Sequence, residues 1–246
     1  MFFSCGDYPR ATLGHVGHVP IRVDATFIFV PLFYFGGMSP DAPLESFFYL
    51  GLVSAGLFVS ILLHEIGHGI AAHRNHMGVD ELVVGGFYGY AALRGIAPTR
   101  RGAIMVLFAG PLGNLAMFVW LWALLGFPSY SFSEGIGAPM AGRTMIYEYP
   151  MLFSAVYSVA LMNLAMFVFN LMPAFPLDGG RIYRLLLAPR MGSDRAVQLI
   201  SGFGVGLGIA IAAAGGPSNF VALLFGAQIA MQNYEAFQNP ASVSGD

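Results

Sequence analysis

Residues 46–74 read SFFYLGLVSAGLFVSILLHEIGHGIAAHR, and the 18 residues from Ser46 to Leu63 carry no charge before the run enters the polar cluster HEIGH in helical register. That length is close to one crossing of a bilayer, so the stretch reads as one membrane helix from about Phe47 to His73. Two histidines and a glutamate lie near one end of it. The remaining sequence agrees with a membrane as solvent. Of 246 residues, 57% are hydrophobic and 10% charged, whereas an ordinary globular chain carries about 25% charged residues.

Working outward from this helix, Ala25 to Pro40 is uncharged and aromatic at Phe27, Phe29, Phe33, Tyr34 and Phe35. It is a candidate first span, beginning as early as Arg22 and kinked at Pro31. Gly102 to Ser133 supplies a third helix that ends near Phe127 and Pro128. Tyr149 to Leu177 supplies a fourth, stopped by Pro173 and Pro176. The uncharged run Ala196 to Tyr234 has 39 residues and is divided by GGPSN at 215–219, which suits two short helices. The expected fold class is an all-α polytopic membrane protein of about six transmembrane helices, forming one membrane domain over residues 1–246. Residues 79–95, β-branched and aromatic with glycines at 85, 86 and 89, suit a small β-hairpin or edge strand near the membrane surface, and an amphiphilic loop equally well.

Every basic residue is arginine. With the N-terminus in the cytosol, ten of the 11 arginines fall inside and only Arg143 falls outside, as the positive-inside rule asks. Both termini are then cytoplasmic, in a multi-pass protein of a prokaryotic cell membrane. The net charge of -2 excludes the basic surface that nucleic acid requires. Met1 to Val23 scatters Asp7, Arg10 and Arg22 among apolar residues, unlike a secretory signal. A lone cysteine, Cys5, forms no intrachain disulfide or thiolate cluster, so a metal would be held by His, Asp or Glu.

His64, Glu65 and His68 carry the chemistry. Residues four apart share a helix face, so both imidazoles can hold one zinc ion while Glu65 reaches a water as general base. For a chain with six His and six Glu, the pattern arises by chance roughly once in three hundred such sequences. Ionisable groups in an apolar helix are also costly unless they serve a function.

Asp178, in FNLMPAFPLDGGR, is the candidate third ligand, because the prolines end the helix and Gly179 and Gly180 let the chain turn back. The plain alternative is an aspartate capping a helix that begins near Gly179. Asp24 competes for the third place, while Glu45 and Asp80 are placed in solvated connecting loops. His73 and His76 read as interfacial, and His15 and His18 as surface residues. HEIGH and Asp178 both lie late in their spans on the arginine-rich side, which puts the site toward the cytosol.

The pieces LLHEIGHGIAA at 62–72, FAGPLGNL at 108–115 and FNLMPAFPLDGGRIYR at 169–184 together resemble the site-2 proteases, intramembrane zinc metalloproteases. The resemblance is to the compact form, since this chain has no room for a PDZ domain or paired CBS domains. It implies a three-helix catalytic core made by spans 2 to 4, about residues 47–185; the C-terminal helix pair read from the uncharged run, about 196–236, follows it. It implies one zinc ion per chain held by His64, His68 and Asp178, with Glu65 catalytic and Asn170 binding substrate or steadying the oxyanion. It also implies a membrane-protein substrate with a transmembrane helix, in a lipid bilayer, and leaves a separate regulatory protein as one way of controlling the activity. Asn114 and Asn163 read as helix-packing residues, and Gly110, Gly113 and Pro111 as points of close helix approach. Asn170 is equally readable as a helix-to-helix hydrogen bond, and the glycines at 202, 204, 206 and 208 as a movable gate or as packing. Two other classes stay open: a transporter or ion conductor using the same ionisable cluster, and a zinc-binding scaffold without proteolysis.

Overall fold

Long apolar runs form the longest helices of this chain, and short runs between and before them form a sheet. The structure is a computed structural model that describes residues 9–28, 30, 43–86, 89–126, 130–131, 135–136, 149–215 and 219–244. In chain order these form β1 (Arg10–Val16), β2 (Val19–Asp24), a 3-10 turn (Ala25–Ile28), α1 (Leu44–Arg74), β3 (Gly78–Val84) and β4 (Gly89–Arg94). There follow α2 (Arg100–Leu124), the two-residue strands β5 (Tyr130–Ser131) and β6 (Gly135–Ile136), α3 (Pro150–Asn170), α4 (Asp178–Met191), α5 (Ser193–Gly215), α6 (Phe220–Gln238) and α7 (Ala241–Ser244).

Among the described residues, four helices, α1, α2, α3 and α5, are long and apolar enough to cross a membrane. Large apolar side chains such as Leu52, Val59, Trp120 and Phe203 lie exposed on them, an arrangement that lipid solvates and water opposes. Most of the expected first span, residues 25–40, lies outside the described residues. Its suggested start near Arg22 does not hold, because Val19–Asp24 is a strand.

The chain divides into two compact units, one of residues 1–97 and 109–167, the other of residues 98–108 and 168–246. In the first, the strands order β1-β2-β3-β4, antiparallel except for the parallel β2–β3 pair. The hairpin expected at 79–95 is therefore present as β3–β4. The sheet is larger than expected because β1 and β2 add to it, so the fold is mostly helical with a small sheet. Glu81 of β3 explains the docking: its carboxylate meets Arg10 of β1 at 3.2 Å and Arg22 of β2 at 3.1 Å, and accepts the Tyr90 hydroxyl at 3.2 Å.

Asp80 and Glu45 lie within elements, not in loops. Asp80 stands on β3 and pairs with Arg94 of β4; Glu45 occupies the first turn of α1, where a helix favours an acid. The Arg94 hydrogen bond holds the Asp80 carboxyl below its ordinary value. Stability from this pair is present above the ordinary carboxylate range and fades as pH falls through the lowered value. The pair is exposed, so its effect is small.

Within this unit α1 packs on β3 and β4. It meets α2 backbone to backbone: a Cβ on Gly67 would lie 2.5 Å from the Ala109 carbonyl oxygen, and one on Gly113 3.0 Å from that of Leu63. Small residues permit this approach where lipid gives no hydrophobic drive between helices. Leu121 of α2 packs on Val159 and Ala160 of α3, and Tyr49 of α1 shares a 2.8 Å hydrogen bond with Ser158 of α3.

In the second unit α5 and α6 form a tight hairpin. Gly208 and Gly226 face each other, since a Cβ on either would lie 2.5 Å from the other's carbonyl oxygen. Gly204 also abuts α6, while a Cβ on Gly202 or Gly206 would meet nothing within 4 Å. Two of the four glycines thus serve packing. The apolar centre is Phe175, Val197, Ile200 and Ala236.

Candidate metal centre

α1 carries His64, Glu65 and His68, all buried at 7%, 4% and 8% exposure. Their four-residue spacing brings His64 Nε2 within 3.0 Å of His68 Nε2, with the rings at 79°. Two nitrogens bound tetrahedrally at 2.0–2.1 Å would stand roughly 3.3 Å apart, so the pair fits a shared ion.

Gly110 of α2 keeps the space in front of these nitrogens open. A Cβ there would fall 2.3 Å from His68 Nε2 and 2.8 Å from His64 Nε2. A hydrogen atom is therefore the largest group the position accommodates without displacing an imidazole. On another side stands β4: a Cβ on Gly89 would lie 2.6 Å from Glu65 Oε1 and 2.7 Å from Ile61 Cγ2. β4 ends the sheet in the strand order, so an outer strand begins beside the glutamate.

The hydrogen-bond chain behind His64 selects its tautomer. Asn163 Nδ2 lies 2.8 Å from the Val159 carbonyl, which only accepts, so Asn163 presents its Oδ1 to Asn114 Nδ2 at 3.0 Å. Asn114 Nδ2 also donates to the Ser60 carbonyl at 3.2 Å, which turns Asn114 Oδ1 toward His64 Nδ1 at 2.6 Å. An amide oxygen only accepts, so Nδ1 carries the proton and Nε2 keeps its lone pair for a metal. Ser60 Oγ, bonded to the Gly56 carbonyl at 2.7 Å, accepts the second Asn163 proton at 2.7 Å. Ser60, Asn114 and Asn163 are all fully buried, as a completed polar network in an apolar setting requires.

Asp178 belongs to the second unit. It is the first residue of α4, half-buried, while Leu177 is the N-cap and makes no side-chain capping bond. Asp178 thus stands in the first turn of the helix, one residue before the start near Gly179 that the sequence suggested. Gly179 and Gly180 are required by close approach, because a Cβ would lie 2.4 Å from the Met172 carbonyl oxygen at the first and 2.5 Å from that of Ala174 at the second. Asn170 is the half-buried last residue of α3.

The competing ligand Asp24 is engaged elsewhere. Its Oδ1 accepts the Thr26 N–H at 2.9 Å and its Oδ2 lies 3.9 Å from Arg10 Nε, so it closes the turn after β2. His73 is exposed in the last turn of α1, whereas His76 lies beyond the helix at φ 59° in the turn to β3. His15 and His18 are exposed at the β1–β2 turn.

A family model described as Peptidase family M50 matches residues 52–211. The chain belongs to this family. The Mycobacterium tuberculosis protein Rip3 is 33% identical over 178 residues, covering 69% of this chain and 41% of that protein. A zinc metalloprotease of Methanocaldococcus jannaschii is 28% identical over 191 residues, covering 78% of this chain and 49% of the relative. The M50 chain thus spans about two-fifths to one-half of the length of these relatives. The structure of the site-2 protease from Methanocaldococcus jannaschii shares the fold, with a TM-score of 0.63 at 23% identity over 93% of this chain and 95% of that one.

For this M50 chain the sequence pointed to HEIGH but not to the support behind it. Asn114 was readable as a polar residue in an apolar helix, which signals an interhelical bond. That the bond goes to His64 Nδ1 depends on how α2 crosses α1, and spacing along one helix does not carry that information.

Proposed function

We propose that this M50 chain is an intramembrane zinc metalloprotease that hydrolyses peptide bonds within or next to the transmembrane segments of membrane proteins. The observation that carries the reading is the pair of Nε2 atoms 3.0 Å apart with the space in front of them kept clear by Gly110. His64, His68 and Asp178 hold one zinc ion per chain: two imidazoles and a carboxylate are a zinc donor set, and three protein ligands leave a position open for reaction. Bound zinc supplies Lewis acidity, polarising a peptide carbonyl and acidifying a water molecule.

Glu65 does the proton work. Its carboxylate takes the proton released as water attacks the scissile carbon and returns it to the departing amine. Asn170, at the end of α3, offers an amide to the substrate backbone or oxyanion. Burial of His64, Glu65 and His68 excludes bulk water and strengthens each of these interactions.

A helical substrate hides its carbonyls and must be extended before it is cut. The outer strand β4, which starts at Gly89 beside Glu65, suits this task by strand addition. Single proline substitutions along β4 are expected to lower cleavage of a transmembrane substrate at least tenfold while the chain stays folded. Cleavage at the wild-type rate in folded variants would remove strand addition from the account.

The chain works as one integral-membrane protease domain of about six spans, with spans 2 to 4 forming the catalytic core. Its ten inward arginines favour cytoplasmic termini and an active site toward the cytosol. Asn114→Leu is expected to weaken zinc binding about 10- to 100-fold, the usual cost of losing the partner that orients a ligating histidine. Equilibrium competition with a chelator measures it, and wild-type affinity would contradict the tautomer assignment.

The functional reading is tested by co-expressing the chain with single-span membrane proteins and comparing fragments between wild type and Glu65→Gln. A protease produces fragments only with Glu65 present. A transporter produces none in either case, and a scaffold shows no difference.

A further inference from the structure

α6 reaches the turn that leads into Asp178. Between α3 and α4 the chain leaves helical geometry over Leu171–Leu177, and Pro173 and Pro176 have no N–H to donate. Phe175, between them, is 5% exposed, with its side chain packed on Val197, Ile200 and Ala236. Its backbone polar groups would be costly to leave without partners at that depth.

One side chain meets both. Asn233 of α6, fully buried, accepts the Phe175 N–H on Oδ1 at 2.9 Å and donates from Nδ2 to the Phe175 carbonyl at 2.6 Å. A further Nδ2 bond to the Ile229 carbonyl at 2.8 Å fixes the amide's orientation on its own helix. Gly204 of α5 provides the room, because a Cβ there would lie 2.2 Å from Asn233 Cγ and Oδ1. Two bonds to a single residue restrain rotation as well as position, and Asp178 follows three residues later.

We propose that Asn233 is a positioning residue that, from the C-terminal helix, locks the turn at Phe175 and thereby sets the aim of the Asp178 carboxylate. The proposal rests on the reading of Asp178 as a zinc ligand and deepens it. The α5–α6 hairpin then acts as a strut for the metal-binding turn.

The test uses the full chain, purified in a membrane mimetic, in wild-type, Asn233→Leu, Gly204→Ala and Asp178→Asn forms. Hydrogen exchange is read over residues 171–180 and the zinc dissociation constant by chelator competition. Asn233→Leu is expected to speed exchange at Phe175 and to weaken zinc binding about tenfold, the lower end of the effect of lost outer support. It should also lower kcat more than it raises KM. Gly204→Ala keeps the amide but displaces it, and is expected to shift both readouts in the same direction, which preserves the test if Asn233→Leu does not fold. A merely structural asparagine would lower Tm and leave zinc affinity unchanged at temperatures where the chain is folded. Weak zinc binding by Asp178→Asn together with wild-type binding by Asn233→Leu and Gly204→Ala would overturn the proposal alone. Wild-type binding by Asp178→Asn would overturn the ligand assignment and the proposal with it.

Discussion

Glu65→Gln is expected to slow peptide hydrolysis by about 10³- to 10⁴-fold, the upper range for loss of a general acid–base group, while the variant still binds zinc. The carboxamide has the shape of the carboxylate, so the packing of a 4% exposed residue beside Gly89 is retained. It has no basic oxygen to take a proton from water, and no proton to return to the amine. Zinc affinity should change by less than about tenfold, because the proposed ligands are His64, His68 and Asp178 and not Glu65. Single-turnover cleavage of a transmembrane substrate separates the two effects. A variant that keeps a tenth of wild-type turnover would remove Glu65 from the chemistry.

Gly110→Ala carries the largest expected effect on the metal. Its new methyl would fall 2.3 Å from His68 Nε2 and 2.8 Å from His64 Nε2, well inside van der Waals contact. The His64 ring cannot yield easily. His64 is held through Nδ1 by Asn114, and that same bond ties α2 to α1, so a retreat of α2 would pull on the ring it must make room for. Metal sites tolerate displacements of about 0.2 Å in ligand distance, so zinc affinity is expected to fall at least about 100-fold. Zinc content after dialysis against a weak chelator measures this. Retention of stoichiometric zinc by folded Gly110→Ala would place the ion elsewhere.

What could be read in advance followed from local pattern. An uninterrupted apolar run reported α1, and the four-residue spacing of His64 and His68 put their rings on one face. The β-branched run after Gly78 reported the β3–β4 hairpin. The features that escaped depend on partners far away in the chain. β1 and β2 hold a glycine, a histidine and a proline instead of clean alternation, and they become part of the sheet because β2 pairs with β3 and both strands meet Glu81, some 60–70 residues on. Asn233 sat in an uncharged run and looked like one more helix residue, because nothing local shows that its amide meets Phe175, 58 positions earlier. Asp178 was singled out by its proline and glycine neighbours, and Gly179 and Gly180 do lie hard against the backbone of the turn.

The most direct measurement is mass spectrometry of a purified single-span membrane peptide incubated with the reconstituted chain, before zinc removal, after it, and after zinc is restored. The account predicts two fragments that meet at a bond within or beside the apolar segment, lost on chelation and regained with zinc. An intact peptide in all three conditions, or fragments indifferent to zinc, would contradict it.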